Sequence, residues 1–369
     1  MRIAIGAFLG VLGGPRTYAY NLIKNLIKID KENQYFFISD HFDGLDKIEG
    51  LERIKLNRGS AYTQIFWDHM KIPVVLKKYK IDIYHDAKNV LPLLCPCKSL
   101  VTIHDLAPFL LPETFQTLQR FSHKFHMQWA VAKAKRIITV SENSREDIIR
   151  ILKVEERKVL HIPNGVVEIF HKIEDAQGLE TFRQELGLAK RIILCVGTIQ
   201  PRKNLDIVIK AFDWLKRKKR IPHQLVIVGR CGWLWQNIKK MVHKLNLTKD
   251  VIFTGPVADE KLPIVYNLAE VFLAPSSYEG FGLTILEAMA CGTAVITSNT
   301  SSLPEIAGNS ALMIEPRNVE QLQQAIEKIL SNKELRDRLI TKGLERAREF
   351  SWERCARETL EVYKEVGQK

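Results

Sequence analysis

The sequence predicts an α/β protein built from two doubly wound domains with parallel sheets. Three observations predict it. Short apolar runs alternate with helical stripes along nearly the whole chain; several runs stop at polar loops bearing glycine or proline; and 369 residues suffice for two domains of ordinary size. Hydrophobic residues at 46% and charged residues at 26% are those of a soluble globular protein. No run approaches the roughly eighteen apolar residues of a membrane span.

Arg2 to Ile5 reads as the first strand, followed by the loop Gly10-Val11-Leu12-Gly13-Gly14-Pro15 and a helix whose stripe is Tyr18, Leu22, Leu26 and Ile29. Arg2 before a short apolar stretch imitates a secretory leader, but Gly6 and Gly10 break the run and a helix follows directly. Strand, glycine loop and helix form the geometry of a phosphate or nucleotide turn. The spacing of a G-x-G-x-x-G fingerprint is absent, and a turn that merely needs positive φ fits Gly13 and Gly14 as well.

Further strands are expected at Tyr35 to Ser39, Ile54 to Leu56, Ile81 to His85, Leu100 to His104, Arg136 to Val140 and Val159 to Ile162. Ligands of such sheets gather at the carboxyl ends of strands. His104-Asp105 stands at one such end, which favours a ligand role over a structural hydrogen bond. Ser141-Glu142-Asn143-Ser144 reads first as a helix N-cap and second as a ligand contact. Between them Phe121, Phe125 and Trp129 repeat every four residues among Lys124, Lys133, Lys135 and Arg136. Core packing is the expectation for this stripe; the alternative is a basic amphipathic face resting on anionic lipid.

Ile162-Pro163-Asn164-Gly165 punctuates the end of the first domain, and the polar stretch Lys172 to Lys190 leads into the second. There Arg191 to Gly197 reads as a buried strand and Leu205 to Lys216 as a helix, with Arg202 and Lys203 just before its N-terminus. Two cations at the positive end of a helix repel it and each other unless an anion neutralises them, and a diphosphate is such an anion. Strands at Gln224 to Val228 and Val251 to Gly255 continue the rhythm, with a helix from Glu260 to Leu268. The five cations Lys216 to Arg220 complement the negative pole of a helix end. After Ala311 to Ile314 come helices at Val319 to Leu330, Lys333 to Arg348 and Trp352 to Val366.

The net charge of +13 is spread over both halves, with 25 Lys+Arg against 18 Asp+Glu in residues 1–170. It suits an anionic ligand or an anionic membrane surface. Nucleic acid is the weakest reading of the charge and is not expected as a partner, because no recognised binding motif accompanies it. The six cysteines lack paired metal spacing and fit a reduced cytosolic chain.

The chemistry concentrates in Ser276 to Glu305. Val271-Phe272-Leu273-Ala274 is a buried strand that delivers Glu279-Gly280-Phe281-Gly282, whose glycines let backbone N–H groups approach an anion. A helix follows from Thr284 to Ala290, with Thr284 as the expected N-cap and its positive end toward the loop. Glu279 and Glu287, eight residues apart, are suited to accept hydrogen bonds from hydroxyls, whereas phosphates repel them. A nucleotide-sugar satisfies both demands; a buried turn in which Glu287 only pairs with a neighbour is the plainer reading.

Glu279-Gly280-Phe281-Gly282 with Glu287 resembles the E-x7-E signature of the retaining glycosyltransferases of family 4, and Ala288 to Gly292 and Ser302 to Glu305 follow at that family's spacing. The resemblance implies the GT-B fold: an acceptor-binding Rossmann-like domain over 1–170, a nucleotide-sugar-binding one over 171–350, a cleft between them, and a helix over 351–369 that packs back on the first. It implies that Gly13 and Gly14 lie against the donor phosphates and His104 beside the transferred sugar. Arg202 and Lys203 fall on the diphosphate-binding pair, with the amides of Gly280, Phe281, Gly282 and Leu283 assisting. Glu279 would hold sugar hydroxyls and Glu287 the ribose.

The implied reaction is hexosyl transfer with retention, from a nucleotide-diphospho-sugar to a saccharide or lipid-linked saccharide. No D-x-D triplet occurs, so neither metal nor other cofactor is expected. Thr198 to Asn204, with Cys231-Gly232-Trp233, is similar to the mannosyltransferase-like branch, which makes GDP-mannose the first donor and UDP-hexoses the next. The expected location is the cytoplasm or the inner membrane face. A nucleotide-sugar epimerase, a phosphorylase and a non-catalytic sugar-nucleotide binder are the alternatives.

Overall fold

The computed structural model describes residues 1–7, 13–42, 44–56, 61–115 and 117–368, with backbone alone for 61–68. Gly10, Val11 and Leu12 of the first glycine loop therefore lie outside the described residues. The chain divides into two compact units: Met1–Pro112, Gln116–Gly165 and Ser351–Lys369 form one, Glu113–Phe115 and Val166–Phe350 the other.

The first unit holds a seven-stranded sheet of β1 (Arg2–Gly6), β2 (Gln34–Ser39), β3 (Leu51–Lys55), β4 (Ile83–Asp86), β5 (Lys98–Ile103), β6 (Arg136–Thr139) and β7 (Val159–His161), in the order β3-β2-β1-β4-β5-β6-β7. Every pairing is parallel, with Ile3 level with Tyr35 on one side and Ile83 on the other. The second unit holds a six-stranded sheet of β8 (Ile192–Val196), β9 (Gln224–Val228), β10 (Val251–Gly255), β11 (Ala269–Ala274), β12 (Ala294–Ser298) and β13 (Ala311–Ile314), ordered β10-β9-β8-β11-β12-β13 and again all parallel. Consecutive residues such as Ile3-Ala4-Ile5 and Val271-Phe272-Leu273 are all buried, as strands covered on both faces must be. The strand order reverses beside β1 in one sheet and beside β8 in the other. A crevice at the carboxyl ends of the strands is expected at each reversal.

The last helix, Trp352–Gln368, belongs to the first unit. Its Tyr363 hydroxyl meets His85 Nδ1 at 2.6 Å, and His85 Nε2 meets Thr102 Oγ1 at 2.7 Å, so a fully buried polar chain ties the helix to β4 and β5. Arg136 pairs with Glu365, and Lys98 Nζ donates to the Gly367 carbonyl at 3.0 Å. Gly165 marks where the two passages of chain meet: a Cβ there would stand 2.1 Å from the Trp352 backbone nitrogen, which only glycine avoids.

Two expectations are corrected. Phe121, Phe125 and Trp129 do share the helix Thr117–Lys133, but Phe121 and Phe125 are exposed; the residues it buries are His126, Met127, Ala130 and Val131. Periodicity assigns side chains to a face without saying whether another element covers it. The cationic run Lys216 to Lys219 lies in a π-turn, Leu215–Lys219, and is balanced by carboxylates rather than by a helix pole alone. Lys216 pairs with Asp250 at 2.7 Å, Arg217 with Asp213 at 2.7 Å and Lys219 with Glu327 at 2.5 Å.

Candidate active site

In the second unit, the loops after β8 and β11 flank the strand-order reversal. A pocket opens there, lined by Gly197, Thr198, Lys203, Pro275, Ser276 and Thr284. Asn204 stitches the two loops together: its Nδ2 donates to the Pro275 carbonyl and to Ser277 Oγ, both at 2.8 Å. It takes the left-handed conformation (φ 52°), which asparagine tolerates better than most residues, and so ends the short 3-10 turn Pro201–Lys203. The Ser277 N–H donates to the Arg202 carbonyl at 2.8 Å, which fixes the register of one loop on the other.

This register brings Arg202 and Lys203 onto Glu279. Arg202 Nη1 reaches Glu279 Oε2 at 2.6 Å and the Tyr278 carbonyl at 2.9 Å; Lys203 Nζ reaches Glu279 Oε1 at 2.5 Å. Gln200, its amide turned oxygen-first, accepts from Arg202 Nε at 2.8 Å. The cationic pair thus meets an anion that the chain supplies itself, the Glu279 carboxylate. Burial alone would raise the Glu279 carboxyl, but Arg202 and Lys203 overcome it and hold the group at about 2. Burial pushes the Lys203 ammonium down, against the pull of Glu279. Gly197 turns the chain beside Lys203 at φ 136°, a conformation that favours glycine.

The E-G-F-G loop is held from beneath. Ser301 Oγ accepts from the Glu279 N–H at 3.0 Å, and Ser302 Oγ donates to the Glu279 and Phe281 carbonyls at 2.9 and 2.8 Å. The following helix spans Leu283–Ala290 and its N-cap is Gly282, not Thr284. Gly282 has φ 110°, and a Cβ there would also crowd Leu303 at 3.1 Å, so glycine is required for conformation and for space. The helix therefore starts one residue earlier than its apolar pattern suggests. Thr284 in its first turn and Ser276 face the pocket, and Ser276 Oγ, almost fully buried, finds no hydrogen-bond partner among the described residues.

Glu287 lies in the second turn of this helix and accepts from the Tyr266 hydroxyl at 2.8 Å. Burial raises its carboxyl to about 7, with Asp259 adding to the rise while Tyr266 and Lys203 oppose it. A carboxyl raised by the fold weakens the protein as pH climbs from the ordinary 4.5 to about 7, since the unfolded chain ionises it freely. Glu287→Gln is accordingly expected to gain thermal stability relative to the parent between pH 5 and pH 8. A melting-temperature difference that stays flat over that range contradicts the burial cost.

Gly13, Gly14 and His104 belong to the first unit. Gly13 (φ 126°) caps the helix Gly14–Ile29, its carbonyl accepting from the Arg16 and Thr17 N–H groups at 3.0 and 3.1 Å; Gly14 is in the first turn. Tyr18 of that helix sets its ring edge against His104, with centroids 5.0 Å apart. His104 Nε2 lies 2.8 Å from the Ala87 carbonyl, which only accepts, so Nε2 carries the proton. Burial lowers the imidazole from its ordinary value, favouring the neutral ring with Nδ1 as an acceptor. Asp105 does not pair with it at hydrogen-bond distance; its Oδ1 accepts from the Ala107 N–H at 3.0 Å. Ser141 caps its helix, Oγ accepting from the Ser144 N–H at 3.1 Å, as its first reading expected.

Sequence reasoning singled out none of Asn204, Tyr266, Ser276, Ser301 and Ser302 by itself. Asn204 carried a signal only as the end of the Thr198 to Asn204 segment, and the three serines only as members of the Ser276 to Glu305 stretch; Tyr266 carried none.

The family described as Glycosyltransferase Family 4 matches residues 12–168, and the one described as Glycosyl transferases group 1 matches 179–346. O-antigen chain mannosyltransferase B of Escherichia coli is 33% identical over 294 residues, covering 78% of this chain and 76% of that protein. The serotype-specific mannosyltransferase WbdA of Escherichia coli is 31% identical over 274 residues, 73% of this chain but only 33% of WbdA. Among solved structures, sucrose-phosphate synthase of Thermosynechococcus elongatus superposes with a TM-score of 0.80 at 24% identity, covering 99% of this chain and 98% of the other. HepE of Anabaena, solved with UDP-glucose, gives 0.80 at 17% identity over 99% of this chain and 100% of its own. The chain belongs to glycosyltransferase family 4, in its mannosyltransferase-like branch, and has the GT-B fold.

Proposed function

We propose that this glycosyltransferase moves a hexosyl group from a nucleotide-diphospho-sugar to a hydroxyl of a saccharide or lipid-linked saccharide, with retention of configuration. The observation that carries this reading is the Arg202–Glu279–Lys203 cluster at the mouth of a pocket between the ends of β8 and β11. The scissile bond joins the anomeric carbon to a phosphate oxygen, and its electron pair leaves on the diphosphate. Lys203 lines the pocket and its ammonium has three donors, of which Glu279 takes one. It is therefore assigned the departing diphosphate, assisted by the amides of Gly280 to Leu283 and by the Leu283–Ala290 helix. Arg202 is gripped by Gln200, Tyr278 and Glu279, and adds its charge from behind.

Each Glu279 oxygen accepts from one cation and keeps lone-pair capacity for sugar hydroxyls. Ser276 Oγ is assigned a contact with the donor, because a buried hydroxyl left unpartnered costs about 1–3 kcal/mol. Glu287 is assigned to the ribose. The roles of Gly13 and Gly14 toward the donor phosphates, and of His104 toward the sugar, rest on the family resemblance. In the retaining step a donor phosphate oxygen takes the acceptor's proton as the acceptor oxygen bonds the anomeric carbon on the face the diphosphate leaves. No covalent intermediate on the enzyme is involved.

The mannosyltransferase relatives make GDP-mannose the first donor to test, with UDP-hexoses next, since HepE was solved with UDP-glucose. Thermal-shift measurement separates them: a nucleotide at a hundred times its Kd stabilises by about 2.7 kcal/mol. A coupled nucleotide-release assay with acceptor then tests transfer. Product formed without acceptor indicates an epimerase, dependence on free phosphate a phosphorylase, and binding without turnover a non-catalytic binder. Because cationic side chains are assigned the charge on the leaving group, treatment with EDTA is expected to leave turnover unchanged. Complete loss, restored by a divalent cation, contradicts metal independence.

A further inference from the structure

The loop before β5 carries Cys95-Pro96-Cys97, two thiols that hexosyl transfer does not use. The chain bends at Pro96 and Cys97, and the two Sγ atoms stand 3.9 Å apart, close enough to share a hydrogen. Residues two apart span at most about 7 Å between Cα atoms when fully extended, and a bend shortens that span toward the roughly 4.4–6.8 Å that a disulfide bridges. Both thiols are half-buried, beside the exposed Leu93, Leu94 and Pro96, so they are open to a small solute. Among the described residues the other cysteines make no such contact: Cys195, Cys291 and Cys355 are buried, and Cys231 is exposed.

The two thiols are not equivalent. Donation by the Cys97 S–H draws Cys95 below its ordinary value against the effect of burial, and the Cys97 N–H and the Ser99 hydroxyl add to the fall. The same contact raises Cys97, and burial raises it further. Cys95 is thus suited to attack and Cys97 to resolve. In Cys195, Cys291 and Cys355 burial pushes the thiol up to about 12, which keeps these three unreactive. Packing against the apolar core accounts for the half-burial of Cys95 and Cys97, but not for two sulfurs set side by side at an exposed bend. We infer that Cys95 and Cys97 form a reversible redox pair, which hydrogen peroxide closes into an intramolecular disulfide and glutathione reopens. The Cys95 sulfur attacks a peroxide oxygen and the O–O bond breaks; the hydroxide released takes up the proton that Cys95 gave up and becomes water. The Cys97 sulfur then displaces hydroxide from the Cys95 sulfenic acid, and that hydroxide leaves with the Cys97 proton as a second water. Two thiols are oxidised and one peroxide is reduced. Two glutathione thiols reverse the closure by exchange and become glutathione disulfide. The closed loop holds only Cys95, Pro96 and Cys97, so closure adds little to stability and leaves the bond exchangeable. β5 begins at Lys98, which puts the pair at the end of the strand remote from His104.

The test treats the folded full chain with hydrogen peroxide, unfolds it, blocks the remaining thiols with iodoacetamide and reads the tryptic peptide Asn89–Lys98, which holds these two cysteines and no other. The peptide is expected to lose both alkylation sites together with two hydrogen atoms, and to regain both sites after glutathione. Cys97→Ser should abolish the disulfide and leave a Cys95 sulfenic acid that dimedone traps. Cys95→Ser should slow oxidation at this peptide about tenfold, since the sulfur that remains is the less ionised one. Neither variant should change the melting temperature or the nucleotide affinity, so failure of this pair and failure of the donor site are separable. The inference is overturned if the peptide stays fully alkylated under peroxide that consumes Cys231, or if the Cys95→Ser variant is oxidised as fast as the parent. It is equally overturned if either thiol pairs only with Cys231 or with a second chain, or if the pair resists peroxide because it holds a thiophilic metal ion.

Discussion

Lys203→Ala is expected to lower turnover about 10²–10³-fold, some 3–4 kcal/mol of transition-state stabilisation, while the protein stays folded. The side chain lines the pocket and its ammonium sits 2.5 Å from Glu279. Its loss removes the one cation of the pair that faces the space where a diphosphate departs. The fold survives because Arg202 still satisfies Glu279, and because Asn204 and the Ser277 N–H, not Lys203, join the two loops. The loss belongs in kcat more than in KM, since the charge it meets grows as the glycosidic bond breaks. Undiminished kcat in a variant with the parent's melting curve refutes the assignment.

Glu279→Gln is expected to act in two directions. Transfer falls, because the carboxylate that receives sugar hydroxyls is gone. Affinity for the bare nucleoside diphosphate rises on the order of tenfold, the low end of what close charge pairs contribute at a binding site, because two cations lose their internal competitor. The parent's carboxyl is held at about 2, below its ordinary 4.5, so its ion pairs stabilise the fold fully above pH 4.5 and fade as pH falls toward 2. That shift corresponds to about 3 kcal/mol. The glutamine variant should therefore unfold at lower temperature at neutral pH, and added nucleoside diphosphate should restore much of the difference. A variant as stable as the parent, with unchanged diphosphate affinity, contradicts the counter-ion role.

How much of this was legible in the sequence depends on what each signal measures. Apolar runs such as Val271 to Ala274 show strands to within a residue or two, because a strand covered on both faces has little choice of composition. Glu279, Arg202, Lys203 and Glu287 were legible as chemistry. Their pairing was not, because the partners lie 76 and 77 positions apart and meet only through the register set by Asn204 and Ser277. Thr284 looked like a cap because threonine caps helices; Gly282 took the position because the loop must turn through φ 110° first. Phe121 and Phe125 were placed on the correct helix and misjudged for burial, since the cover a face receives depends on elements remote in sequence. Tyr266 and the serines beneath the loop lack any pattern, for a single hydroxyl becomes significant only when a fold sets a carboxylate or a carbonyl beside it.

The central claim is that the second unit holds the diphosphate of an activated sugar on Lys203, backed by the charge of Arg202, and on the amides of the Gly280 to Leu283 loop. Titration calorimetry of GDP, UDP and their sugar conjugates into the parent and into Arg202→Ala/Lys203→Ala tests it most directly. The account predicts binding of at least one sugar nucleotide by the parent and weakening of about a hundredfold or more in the double variant, on the scale of losing one charge-assisted contact together with the charge behind it. A folded parent that binds none of them, or a double variant that binds as tightly as the parent, contradicts it.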